Sequence, residues 1–225
     1  GSVLILPQYV QGSLGFTATL SGELLIFRAG TILLLTPLTA ALVARNKIDP
    51  RYMIACGFVL IGISNFMLAN ATTPESDFWT FFWPLALSGA GLAQIFVPLT
   101  VSVLASVGPR QIPAAAAMFN LARQVGGSIA IAVLVTLLAR ENAVHHTELA
   151  SQVTLRSSAV ARYVAQHGGE NSASAAGDLN RLVTRQAEIL SYADTARAVA
   201  LISLVLAPLA FILKRPVQTA TIAAE

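Results

Sequence analysis

The sequence predicts an all-α integral membrane protein, and two observations carry that prediction. Charged residues make up only 11% of the chain, against roughly a quarter in ordinary soluble domains, and mean hydropathy is +0.69. The apolar residues are also concentrated in five stretches, 18–43, 53–71, 80–106, 114–139 and 193–213. Each approaches or exceeds the roughly 20 residues that carry a helix across a hydrocarbon core. None alternates polar and apolar residues as a membrane β-strand does. Every backbone amide in hydrocarbon needs an internal partner, so these stretches are read as helices.

The first residues, Gly1 to Pro7, lack an initiator Met and read as the tail of an earlier helix that ends near Val10. The chain is therefore expected to be the C-terminal portion of something larger, with a partial N-terminal helix before the five full spans. The first span contains Glu23 and Arg28. Ionisable residues within spans cost about 2.5–3.5 kcal/mol each on insertion scales. Five positions apart, these two do not share a face and each needs another partner. Glu23 lies near the interface, where a carboxylate is tolerable; Arg28 lies deeper and is the better cavity-lining candidate. The second span carries Cys56, the one cysteine, which excludes an internal disulfide and reads as a small buried residue.

In the third span, Gln94 either lines a substrate path or bonds to a neighbouring helix. Gly89 and Ala93 form a small-residue face for close helix packing, as do Gly126 and Ala130 in the fourth. The fourth span also carries Asn120 and Arg123, three apart on one face, a polar cluster that cannot face lipid. Arg123 either belongs to a translocation path or is a structural Arg snorkelling to the surface. Pro37, Pro84, Pro98 and Pro208 all fall in spans, where they kink helices.

Between the fourth and fifth spans, residues 139–192 carry five Arg and five acidic residues. The glycines at 168–169 mark a break. After it, Leu179, Leu182, Val183 and Leu190 keep one face apolar, as in an amphipathic helix that feeds the last span. The chain thus divides into membrane helices over 1–138, an extracytoplasmic loop over 139–192, a last membrane helix over 193–213 and a cytoplasmic tail over 214–225. His145 and His146 read as solvated loop residues, with metal binding the lesser alternative and no metal site expected.

The short loops orient the bundle. Arg45, Lys47 and Arg51 follow the first span, Arg110 follows the third, and Lys214 and Arg215 follow the last. The loop between the second and third spans holds Glu75 and Asp77 without a basic residue. The positive-inside rule puts the basic loops and the C-terminus in the cytoplasm. Paired intramembrane carboxylates, His-x-x-x-His, His-Glu-x-x-His, nucleophile motifs and phosphate loops are all absent. No signal supports an enzyme, a cofactor or nucleic-acid binding.

The ordered motifs carry a resemblance. Leu6-Pro7-Gln8-Tyr9-Val10-Gln11, followed by Gly15, Ala18 and Gly22, resembles the LPxYxQxxxGxxAxxxG start of the tenth helix in the fourteen-helix drug:proton antiporters, the EmrB/QacA type of the major facilitator superfamily. Further matches follow in the same order: Trp83-Pro84, Phe96-Val97-Pro98-Leu99-Thr100, Asn120-Leu121-Ala122-Arg123 with Gly126-Gly127, and His145-His146. The resemblance covers nearly the whole chain and implies the C-terminal bundle of a proton-driven exporter of hydrophobic or cationic drugs. It implies alternating access against an N-terminal bundle, a bacterial cytoplasmic (inner) membrane location, and Arg at positions 28 and 123. Its implied partners are the bilayer, that missing bundle, a small hydrophobic substrate and, for some members, a periplasmic adaptor. The loop after the first span departs from the family pattern, with Ala40, Ala41 and Ala44 where relatives often show Gly-Arg. A transporter of a specific metabolite and a non-transporting membrane fragment remain open as alternatives.

The loop charges generate a direct test. Single cysteines introduced at Asn46 and Ser76 are expected to label from opposite membrane faces, with Ser76 outside. Labelling of both from one face contradicts the topology.

Overall fold

The computed structural model describes residues 2–12, 15–45, 48–73, 76–152 and 172–212. Over these residues it is helical, with α1 Ser2–Gly12, α2 Ala18–Ala44, α3 Pro50–Ala71, α4 Phe82–Ala105, α5 Ile112–Gln152 and α6 Ser172–Leu209. Five of these helices are long and apolar enough to cross a membrane. The tail after Ile212 and the 168–171 break lie outside the described residues.

Helix starts follow local chemistry. The Thr17 hydroxyl accepts from the Leu20 amide at 3.3 Å and opens α2. The Asp49 carboxylate accepts from the Arg51 amide at 3.1 Å, and Pro50 at the first helical position opens α3. The Asp77 carboxylate accepts from the Phe78 amide at 2.8 Å and starts a 3-10 turn, Phe78–Phe81, that leads into α4. Inside the helices, Thr and Ser hydroxyls bond the carbonyl one turn back, as Thr31 does to Phe27 and Ser203 to Val199, both at 2.8 Å. A hydroxyl in hydrocarbon is thereby satisfied without a partner helix.

One difference from the sequence reading concerns length: α5 does not end near residue 139 but runs on to Gln152. The amphipathic segment expected to feed the last span is the first part of α6, continuous with that span. Every residue from 139 to 152 can hydrogen-bond within the helix, so nothing forces a stop where hydropathy falls.

Helices pack in the order α2, α4, α3, α6, α5, with α1 against both α2 and α6. Glycines set the closest approaches. A Cβ on Gly57 would lie 2.7 Å from the Gly91 carbonyl oxygen, and one on Gly91 would lie 2.7 Å from that of Gly57. The backbones of α3 and α4 therefore touch there. On the other side of α3, a Cβ on Gly62 would lie 2.9 Å from Leu204 of α6. The Ser64 hydroxyl crosses from α3 to the Pro84 carbonyl of α4 at 2.7 Å.

The main core lies at the acidic-loop end. Leu6, Tyr9 and Val10 of α1 meet Leu24 of α2, Leu68 of α3, Phe81 and Leu85 at the start of α4, and Ile189 and Tyr192 of α6. Leu134 and Leu138 of α5 pack against the same cluster. Trp79 and Trp83 remain exposed beside it, where interfacial aromatics anchor a bundle at the membrane surface. Cys56 corrects its sequence reading: it is exposed, because its side of α3 faces a cleft instead of a neighbour.

Adding one methyl at the closest seam is expected to cost about 1–3 kcal/mol, because a Cβ on Gly91 meets the Gly57 backbone, which cannot move aside. Gly91→Ala should therefore lower the thermal midpoint in detergent. Gly108→Ala, where a Cβ meets nothing within 4 Å, should stay within about 0.5 kcal/mol. Equal midpoints for the two variants would contradict the close approach.

Candidate functional site

Arg123 projects from α5 with its Nη2 donating to the Asn120 Oδ1 at 3.2 Å. Its guanidinium carbon lies 5.1 Å from the centre of the Phe96 ring on α4, within the range of a cation–π contact. The i, i+3 spacing puts Asn120 under the guanidinium, and the aromatic face comes from the next helix. Ile95, Phe96, Leu99, Phe119, Ala122 and Arg123 enclose a cavity of about 190 Å³.

Phe96 also walls a larger cavity. About 500 Å³ opens between α2 and α4, lined by Ile32, Thr36, Leu92, Ala93, Phe96, Val97, Thr100 and Val101. The hydroxyls of Thr36 and Thr100 are turned to the carbonyls of Ile32 and Phe96. The lining is therefore almost wholly apolar, and its Phe96 is also the ring that Arg123 covers beside the smaller cavity. Positions 28, 32 and 36 follow at i, i+4 and i+8, so Arg28 stands on the cavity's side of α2.

Arg28 is half-buried and close enough to Tyr192 to interact electrostatically. Tyr192 in turn stacks on Tyr9 with ring centres 4.4 Å apart. This links the inner end of the cavity face to the core. Glu23 is exposed on α2 and is not brought to the Arg123 cluster. Gln94 lines a separate cleft of about 330 Å³ with Leu35, Leu38, Thr39, Tyr52, Met53 and Cys56. It faces the opposite side of the α2–α4 seam from Phe96.

The four small residues also separate. Gly89 is buried against α2, where a Cβ would lie 2.5 Å from the Arg28 carbonyl oxygen, and Ala93 is 1% exposed. Gly126 and Ala130 are exposed, and a Cβ on Gly126 meets nothing within 4 Å. Sequence reasoning assigned no role to Phe96, whose signal was an aromatic beside Pro98 at mid-span. It also missed the α5–α6 pair His145 and Asp194, at 2.8 Å. Its signal was an acid near the start of the last span; His145 is thus helical and half-buried instead of a solvated loop residue.

No family model matches the chain. Among curated proteins, it is 29% identical over 219 residues to the multidrug export protein EmrB of Escherichia coli. It is 28% identical over 221 residues to the fatty acid resistance protein FarB of Neisseria gonorrhoeae. Both matches cover 96% of this chain. The chain is similar to EmrB-type transporters over nearly its whole length. An MFS-type transporter of Bacillus subtilis, YhcA, is 24% identical over 68% of the chain. The chain spans 42% of the length of EmrB and of FarB. The five membrane-length helices with the shorter α1 fit the C-terminal bundle of the major facilitator fold.

Proposed function

We propose that this chain is the C-terminal bundle of a proton-coupled secondary transporter that exports hydrophobic or cationic drugs from a bacterial cytoplasm. The observation that carries the reading is the apolar 500 Å³ cavity between α2 and α4, whose Phe96 also carries the Arg123 guanidinium. A pocket of that volume falls within the range of small-molecule sites. Its apolar lining recognises bulk and hydrophobicity, and provides few directional contacts that would select one polar metabolite. The similarity to EmrB, a multidrug export protein, and to FarB, a fatty acid resistance protein, supports the same reading.

In this reading the cavity binds the apolar body of the substrate, and Arg123 acts as a gate element. Its guanidinium is held by Asn120 of the same helix and by the Phe96 face, so movement of α4 against α5 breaks the Phe96 contact while Asn120 keeps the guanidinium oriented. The basic-loop ends and the C-terminus face the cytoplasm. The exposed sides of α2 and α5 meet the N-terminal bundle, and a periplasmic adaptor is a partner of the complete protein. Expressed without its partner bundle, this chain exports no dye.

Arg123→Lys tests the gate. Lysine keeps the charge and the long stem but not the planar fork. In the full-length transporter, loss of the Asn120 bond, at about 1 kcal/mol, is expected to cut dye export roughly fivefold. Abundance and membrane insertion should be unchanged. Undiminished export by the Lys variant would leave Arg123 as a snorkelling surface group.

A further inference from the structure

Beyond the apolar part of α5, three side chains with metal-ligating atoms converge. Glu141 and His145 are four residues apart on α5 and share a face; Asp194 reaches them from α6. Their ligand atoms all lie within 4.8 Å of one another, and all three residues are half-buried. His145 Nε2 stands 2.8 Å from Asp194 Oδ2. The other oxygen of Asp194 accepts from Arg197 Nη1, also at 2.8 Å.

Two carboxylates at this separation repel unless a cation lies between them. Arg197 offsets one negative charge from the outer side, which leaves the inner space, bordered by the imidazole, with one uncompensated charge. One imidazole nitrogen and two carboxylate oxygens form a donor set of borderline hardness that suits Zn²⁺ and its neighbours in the transition series. Three protein ligands of this kind leave a fourth tetrahedral position for water. Ligand atoms around a tetrahedral zinc stand roughly 3.3 Å apart, so closing from the present spread needs side-chain rotation and no movement of either helix. Arg197 is placed as the outer partner that fixes the orientation of the Asp194 carboxylate.

We propose that Glu141, His145 and Asp194 form a divalent transition-metal site that ties α5 to α6. The site stands beside the main core, just after Leu138 on α5 and just after Tyr192 on α6, so a bound ion ties the two helices together there. It is separate from the α2–α4 cavity, and its occupancy can be measured whatever the transporter exports.

The test is zinc titration of the complete membrane protein, purified in detergent without a histidine tag and read by competition with a chromophoric chelator. One Zn²⁺ per chain is expected. His145→Ala and Glu141→Gln should each weaken binding by at least about tenfold. Glu141→Gln keeps the His145–Asp194 bond, so its loss of affinity is not a folding failure. His146→Ala, one position round the helix, should bind as the parent does. The absence of saturable binding by the parent, or undiminished binding by Glu141→Gln and His145→Ala, overturns the site.

Discussion

The structure depends on how closely α3 approaches its two neighbours. Lipid tails are as apolar as leucine, so helices in a bilayer gain little from hiding apolar side chains from one another. What holds them is packing and a few internal hydrogen bonds. Gly57 against Gly91 and Gly62 against Leu204 bring α4 and α6 onto the two sides of α3, and Ser64 bonds across to Pro84. At the acidic-loop end this seam continues into the core of Phe81, Leu85, Tyr9 and Tyr192. Side chains from five helices interlock there, with α5 packed on the outside.

The other end is built differently. Toward the basic loops, one cavity flanks each side of the α2–α4 seam. The first half of α5 is almost wholly exposed. A bundle with its core at one end and its cavities toward the other can open and close by pivoting about the packed end. In the transport reading, the Phe96–Arg123–Asn120 cluster lies where such a pivot produces movement, and the Tyr9–Tyr192 stack lies where it does not. The α5–α6 pair formed by His145 and Asp194 adds a second tie beside the core.

Hydropathy made the spans legible because length and charge-free composition are properties of the single helix. The starts of α2 and α3 fall within a few residues of the predicted bounds for the same reason: Thr17, Asp49 and Pro50 act locally. Asn120 beneath Arg123 was legible from helical spacing. What was not legible depends on the neighbour. Gly89 and Gly126 carry the same small-xxx-small signal, yet only Gly89 meets another backbone, since α2 crosses there and no described helix crosses Gly126. Gln94 and Phe96 are two residues apart on α4, and that spacing points them to opposite sides of one seam. The continuation of α5 past Leu138 was hidden because polar residues end a hydropathy window without ending a helix.

The most direct measurement is a pair of spin-label distances between α2 and the α4 segment in the complete transporter, with and without a proton gradient and substrate. Labels at Thr19 and Thr80 report the packed end; labels at Ala44 and Ser106 report the basic-loop end, and all four positions are exposed. A narrow, invariant Thr19–Thr80 distance with a shifting Ala44–Ser106 distance is the predicted result. A Thr19–Thr80 distance that shifts as much as the other pair would contradict the packed end as the fixed point of the bundle.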